Sequence, residues 1–452
     1  MTGSWYQKRN DRQMRYAGRV LPADKPVVVN LAPESAATFD GQVAAITAIN
    51  LLARMTPALV LNIPETKIVA PLPAAGASLL HSLIELASSA DPHANFTVRP
   101  PRASDYVLNL SRGPAPNLVH GSGWYAFIGS GVSPLPESGV PNPIGPALAA
   151  IVAVTRLFTL EMKPLDGPYL LNAFHWTDTF EPAPLPFVDT QLGCIWTIGA
   201  GSVGTAALYF LSLATRCFST VVFDMDMVKV ENLDRSPIFT SDDAKHNRNK
   251  ADVAVEYLRR IGIANAKAEH DPLDLSRRWL SRSTGEPDLV IAAANERNVR
   301  YVIEQSCPPI QIYGTTGANW GASLMRHVPM NGACSCCVFP PDMNQAVMKC
   351  AEGQIVDHRT GQDVDAALPF LSFVAGLMTA AEILKINLPG FPFTRDRTVF
   401  SAGAATYPRF TSFSTTRREG CVCQSRSASL HLRMIEATRY GNLSKNSSST
   451  GP

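Results

Sequence analysis

Hydrophobic positions fall into blocks of two kinds that alternate along the first half of the chain. Residues 27–31, 58–63, 106–110 and 124–128 are apolar runs too short for helices and predict strands. Residues 39–55, 76–87 and 147–161 repeat apolar residues at helical spacing, with Ile46, Ile49, Leu51 and Leu52 among those of the first block. Such a β–α–β rhythm predicts an α/β domain. No glycine-rich loop follows any of these strands, so nothing in this half marks a nucleotide site. The Pro-rich stretch 181–188 breaks the rhythm and sets a domain boundary, giving a first domain over 1–188 and a second over 189–436. Within the second, 331–366 reads as an irregular insertion and 368–386 as a core helix. The apolar run 366–384 carries Ser372, Thr379 and Glu382 and starts beside Pro369, which predicts a buried helix and not a membrane span. The Ser/Asn/Gly-rich end, 437–452, predicts a disordered tail.

Composition narrows the picture. The 452 residues are 46% hydrophobic and 17% charged, against about 25% charged in typical domains. A net charge of +2 argues against nucleic-acid and acidic-membrane partners. The first residues lack the apolar segment of a secretory signal, so the expected location is cytoplasmic. The cysteines number nine and cluster at 334–337 and 421–423, a pattern suited to metal or thiol chemistry in a reducing compartment. Cys194, Cys217 and Cys307 lie in apolar or turn settings and read as packing thiols.

The chemistry concentrates after residue 193. An apolar strand, 194–198, leads into Gly199-Ala200-Gly201-Ser202-Val203-Gly204 and then an apolar helix over 205–214. Glycines let the backbone turn sharply and approach phosphates, and the helix start offers free N–H groups and a positive dipole end. A second strand, 220–223, ends in Asp224, about twenty residues on, where a carboxylate can bond ribose hydroxyls. Taken alone this predicts an NAD-binding domain. The continuation reads Asp224-Met-Asp226-Met-Val-Lys-Val-Glu-Asn232-Leu-Asp-Arg235, with Lys250 opening another helix, so an amide and two cations follow the acidic strand end. A hydride-transfer enzyme has no use for that set, whereas a transition state with extra charge on phosphate does.

This order resembles the DxDxVxxxNLxR…K signature of the ThiF/MoeB/E1 superfamily. The resemblance implies ATP as cosubstrate, with Asp224 on the ribose and Asn232, Arg235 and Lys250 on phosphates and developing charge. Asp226 would support the loop or a metal ion. Asn295 and Asn298 would complete the ATP-binding set. Asn295 stands where the family carries a Mg²⁺-binding Asp; its amide offers an oxygen without charge, and Glu296 or Asp226 would compensate.

Cys334-Ser-Cys336-Cys337-Val-Phe-Pro340 resembles the family's CxxCxFP element, and Cys421-Val-Cys423 follows downstream. The resemblance implies a structural Zn²⁺ on Cys334, Cys337, Cys421 and Cys423, with Cys336 an alternative to Cys337. Cys350 lies in the crossover loop over 338–366, where several E1 enzymes carry the acceptor thiol; Lys349 and Lys385 would favour its thiolate.

The segment 11–19 resembles the family's N-terminal RYxRQ helix, from which Arg15 or Arg19 would reach an ATP site, in dimeric relatives that of the partner. Residues 50–57 and 142–150 resemble E1-like proteins of bacterial ubiquitin-like conjugation operons, the BilD type. The implied architecture is two Rossmann-like adenylation domains, the N-terminal inactive and the C-terminal active. The implied activity is adenylation of a ubiquitin-like protein, thioester formation and transfer to an E2-like partner, with a homodimer as one assembly. Two alternatives stay open: an adenylate-only enzyme acting on a sulfur carrier or peptide, and a degenerate nucleotide-binding scaffold.

Overall fold

The computed structural model describes residues 2–72, 78–165, 167–184, 191–270, 287–294, 297–306, 308–328, 332–340, 351–352, 355–364, 366–386, 388, 391, 395–403 and 408–425. The first half contains α1 (Thr2–Ala17), β1 (Val27–Leu31), α2 (Pro33–Ala36), α3 (Phe39–Ala53), β2 (Leu59–Asn62), α4 (Leu79–Ala90), β3 (Thr97–Val98), β4 (Tyr106–Leu110), β5 (Ala115–Ser122), β6 (Tyr125–Gly131), α5 (Ile144–Thr159) and β7 (Tyr169–Asn172). The second contains β8 (Gly193–Ile198), α6 (Ser202–Ala214), β9 (Phe218–Phe223), α7 (Ser241–Lys245), α8 (Lys250–Arg260), β10 (Ala266–Glu269), β11 (Leu289–Ala292), α9 (Arg297–Gln305), β12 (Gln311–Gly317), β13 (Gly321–His327), α10 (Ser335–Val338), β14 (Ala351–Glu352), α11 (Pro369–Lys385), β15 (Arg397–Ser401) and β16 (Arg409–Phe413).

Local signals set many of these boundaries. Thr38 caps α3 by accepting from the Gly41 amide at 3.1 Å, and Ser78 does the same for α4 through His81. Pro369 opens α11 at a position where its missing N–H costs nothing.

The two halves repeat one topology. The first sheet runs β3-β2-β1-β4-β5-β6-β7 and the second β10-β9-β8-β11-β12-β13-β15-β16, with β14 beside β12. In each, the third, second, first, fourth and fifth strands are parallel and the next turns antiparallel. This is the doubly wound Rossmann-type order, with its switch point between the first and fourth strands. The expected two-domain α/β architecture is therefore present. Three strands of the first sheet escaped the sequence reading: the two-residue β3, the four-residue β7, and β5, whose Pro116, Asn117, His120 and Gly121 break any apolar run. The strand expected at 124–128 is β6, shifted to Tyr125–Gly131.

Helices α3, α5, α6 and α11 pack together between the sheets. All sixteen residues of α5 and all seventeen of α11 are buried. A methyl group at Gly376 of α11 would collide with Ala206 of α6, so these helices meet at backbone distance. No helix among the described residues is long and apolar enough to cross a membrane.

A charged cluster also crosses this layer. Lys385, fully buried at the end of α11, donates to Glu382 at 2.6 Å and lies 3.9 Å from the centroid of the Trp176 ring. Trp176 Nε1 donates to the same carboxylate at 2.6 Å, and Arg326 pairs with its other oxygen. Lys385 is thus engaged by Glu382 and aromatic rings, and Cys350, whose thiolate it was expected to favour, lies outside the described residues. Burial would raise Glu382, but Lys385 and Arg326 outweigh it and hold its pKa at about 2, against an ordinary 4.5. The unfolded chain therefore takes up this proton first, and the carboxylate's stabilisation is complete above pH 4.5 and is lost as pH falls towards 2. Glu382→Gln is expected to remove that part of the acid-unfolding slope. At neutral pH it should destabilise by about 3 kcal/mol, because the fully buried Lys385 and the partly buried Arg326 lose their partner. Urea unfolding across pH 2–7 reads both effects; parallel acid slopes in variant and wild type would contradict the assignment.

Candidate nucleotide site

Strand β8 delivers the chain into the turn Gly199–Gly201 at the carboxyl edge of the second sheet, beside β11. Gly199 has φ +93°, and a Cβ there would sit 2.8 Å from the Ala294 nitrogen. A Cβ at Gly204 would strike the Gly199 carbonyl. The outer glycines are therefore required by the turn and by helix–strand packing. Gly201 differs, since a Cβ there would meet nothing within 4 Å. Its side faces open space at the start of α6, which has no side-chain cap. A helix that begins with uncapped amides on an open glycine edge is a cradle for an anion.

Asp224 follows β9 and fixes this turn. Its Oδ2 accepts from the Ala200 amide at 2.7 Å and its Oδ1 from the Asp226 amide at 2.9 Å. Burial raises the Asp224 carboxyl, opposed chiefly by Lys250. Lys250 opens α8, donates to Asp226 at 2.7 Å and is itself largely buried, while Asp226 is exposed. Asn249, which the sequence reading passed over, caps α8 by accepting from Ala251 and Asp252, and its Nδ2 donates to the Asp224 carbonyl at 3.1 Å. One asparagine thereby ties the helix carrying Lys250 to the strand end carrying Asp224. Met225 and Met227 flank Asp226 and are 60% and 46% exposed.

Asn232 closes a 3₁₀ turn, Val230–Asn232, and its Oδ1 accepts from the Lys229 amide at 2.9 Å. Arg235 is buried, donating to the Glu231 carbonyl and to Asp234, each at 2.6 Å. Burial raises Asp234, with Arg235, Arg12 and Arg9 opposing it.

The N-terminal helix α1 docks on this 3₁₀ turn within the same chain. Arg15 on this helix and Arg19 just after it are the arginines expected to reach an ATP site. Arg15 pairs with Asp11 at 2.8 Å, and Arg19 pairs with Glu161 and stacks on Phe158, at the end of α5. Arg9 and Arg12 are the α1 arginines whose charge reaches Asp234. An open groove of about 930 Å³ runs along α1, bordered by Arg12, Arg15, Glu231 and Arg359.

At the matching switch point of the first sheet, a crevice of about 450 Å³ is lined by Glu34, Asp40 and Glu137, with Arg112 paired to Glu137. Burial raises Asp40 to about 7.

Cys334, Cys337, Cys421 and Cys423 bring their sulfurs within 4.8 Å of one another, mostly buried. Three separations are 3.5 Å (Cys334–Cys421), 3.7 Å (Cys337–Cys423) and 3.8 Å (Cys334–Cys337). These exceed a disulfide bond of about 2.05 Å. They match the ~3.8 Å edge of a tetrahedron whose metal–sulfur bonds are about 2.3 Å. The buried Cys336 stands outside this set of four. Cys194 and Cys217 are half-buried. Cys307, Cys350, Lys349, Asn295 and Glu296 lie outside the described residues, as do the tail 437–452 and the Asn298 side chain. Ala351, next to Cys350, pairs with Thr316 of β12.

A glycine turn at the switch point, an acidic strand end and a basic α8 start define a nucleotide-binding α/β protein. The chain belongs to the ThiF family, whose model matches residues 194–423. It is similar to the sulfur carrier protein adenylyltransferase of Thermus thermophilus, 27% identical over 224 residues, 47% of this chain and 76% of that one. It is also similar to the uncharacterized protein y4jF of Sinorhizobium fredii, 25% identical over 331 residues, 70% of this chain and 60% of that one. Among solved structures, E. coli MccB in complex with N-formylated MccA aligns at a TM-score of 0.40 and 17% identity, covering 68% of this chain and 97% of that one.

The thiol cluster gives a direct prediction. Purified protein should carry one tetrahedral metal ion per chain, read by elemental analysis. Cys421→Ser and Cys423→Ser should each cut metal content and lower the melting temperature. Metal-free wild type with unchanged melting behaviour would refute the assignment.

Proposed function

We propose that this chain is an ATP-dependent adenylyltransferase acting on the C-terminal carboxylate of a small ubiquitin-like protein. The observation that carries the reading is the uncapped start of α6 behind an open Gly201, with Asp224 and Lys250 on neighbouring elements of a ThiF-family domain. Triphosphate would lie against the α6 amides, and Asp224 would orient the ribose while holding the turn. Met225 and Met227 supply an exposed, polarizable apolar rim for the base. Lys250 and Arg235 would leave Asp226 and Asp234 in part to meet phosphate charge, an exchange of one anionic partner for another. Mg²⁺ binds through one or two carboxylates plus phosphates and water, and the exposed Asp226 suits that role better than Asp224, whose two oxygens already accept amides.

In the first step a carboxylate oxygen of the substrate attacks the α-phosphorus. The bond to the bridging oxygen breaks and pyrophosphate leaves, giving an acyl-adenylate. In the second, the Cys350 thiolate attacks the acyl carbon, a C–S bond forms and AMP departs, and an E2-like thiol then takes the acyl group by the same exchange. The docking of α1 on the Val230–Asn232 turn of its own chain supports an arginine supplied within the chain, with Arg12 ahead of Arg15 and Arg19, over exchange between two copies. The first domain, with its acidic crevice, is read as the inactive partner. Zinc on the four thiols would tie the 421–423 segment to the start of the 331–366 insertion.

The adenylate-only reading is favoured by one observation, the similarity to a sulfur carrier protein adenylyltransferase. ATP–pyrophosphate exchange with a cognate ubiquitin-like protein separates the readings. Wild type and Cys350→Ala should exchange alike, and only wild type should form a thiol-sensitive adduct. Lys250→Ala should lower exchange at least ~100-fold. An adduct absent from wild type leaves the adenylate-only enzyme. Absence of exchange with Mg²⁺ and verified substrate refutes adenylation and leaves the scaffold.

A further inference from the structure

Residues 233–239 belong to no helix or strand, yet every one of them is buried. A buried irregular segment must find partners for its carbonyls away from water. Three of them are taken by one side chain of the other domain. Arg54, at the end of α3, donates Nη1 to the carbonyls of Leu233 (2.7 Å) and Phe239 (3.1 Å) and Nη2 to that of Pro237 (3.0 Å). Asn50, one turn earlier, donates to the same Pro237 carbonyl at 3.1 Å and accepts from Arg54 Nε at 2.9 Å. The guanidinium is 1% exposed, and burial pushes its pKa down to about 9.

This segment begins at the residue after Asn232 and contains Arg235. We infer that Arg54 is a positioning residue for the nucleotide site: by gripping both ends and the middle of the 233–239 loop, it makes the first domain set where Asn232 and Arg235 stand. The inference rests on the nucleotide-site reading above. Its chemistry is particular to arginine. The planar fork presents five N–H donors at fixed angles, so one group spans three carbonyls that converge from separate parts of a loop. A lysine ammonium on a single stem cannot reach all three in that geometry. Arg54 touches no substrate; it acts through the loop.

The test uses the full-length protein with Arg54→Met, which keeps the apolar stem, and Arg54→Lys. Asn50→Ala, which removes one loop contact and the Nε partner, serves if the arginine variants fail to fold. Hydrogen–deuterium exchange of residues 230–240 and ATP–pyrophosphate exchange are both read. Arg54→Met should speed deuterium uptake in that segment selectively and cut kcat about 100-fold, the usual cost of an ångström-scale misplacement. Arg54→Lys should fall between Arg54→Met and wild type. The combined Arg54→Met/Arg235→Ala protein should be no worse than Arg235→Ala alone, because both act through one loop. A merely structural role predicts additive losses and a global rise in uptake. Additive losses, full kcat in Arg54→Met, or unchanged uptake at 230–240 would overturn the inference. If wild type shows no pyrophosphate exchange, the nucleotide reading fails by itself, and the uptake experiment still decides whether Arg54 holds the loop.

Discussion

The packing of four helices between two sheets is the constraint on which the rest of this molecule depends. A helix buried on every side cannot face water, and α5 and α11 have no exposed residue at all. Each domain therefore presents an apolar layer that only the other domain covers. Where α11 meets α6, Gly376 lets the backbones approach to a distance that a single methyl would forbid. Gly314 of β12 does the same against Thr379 and Val203. Contacts at backbone distance leave little freedom to slide, since close-packed interiors transmit displacement. These contacts fix α11 within its own domain, and α11 in turn packs on α5 and α3 of the first.

That rigidity is what lets one domain furnish parts for the other. The glycine turn sits on α6, which is pressed between its own sheet and α11. The 3₁₀ turn bearing Asn232 has α1 on one side, and the loop after it has α3 behind it. Polar groups cross the same layer: Trp176 of the first domain donates to Glu382, which Lys385 and Arg326 of the second hold in place, and Arg54 donates to the 233–239 loop. A buried polar group left without its partner is costly, so each such bond penalises any arrangement that separates its ends. The apolar layer supplies the driving force for docking, and these bonds select among the ways it can be covered.

How legible this was depended on how local each signal is. The glycine turn, Asp224 and the helix opening at Lys250 are written in consecutive residues with strand-before, helix-after context, and the structure shows that arrangement. The four thiols were readable for the same reason, since their spacings are short within each pair and thiolates converge on one geometry. The repeated sheet order was half-visible: β1, β2 and β4 show as apolar runs, but β5 is disguised by Pro116, Asn117 and Gly121. What sequence could not reveal is which face of a helix docks. Arg9 reads as a surface cation of an N-terminal helix, yet it is fully buried and donates to Asp91, about 80 residues on. Lys385 looks like a free cation until Trp176, about 200 residues away, is seen beside it. Arg54 reads as the polar end of an apolar helix, and its partners lie about 180 residues on.

These long-range partners bear on why a chain would keep a domain with no glycine turn. An adenylation domain needs its phosphate-binding side chains on loops, and loops buried away from water need partners that a single sheet and its helices do not supply. The first domain retains the same strand order and lines its own switch point with Glu34, Asp40, Arg112 and Glu137. Its α3 ends in an arginine aimed across the interface, and its α1 lies on the Asn232 turn. On the proposed reading, a duplicated fold of this kind divides the work by position: one copy holds the cradle, and the other holds the loop beside it.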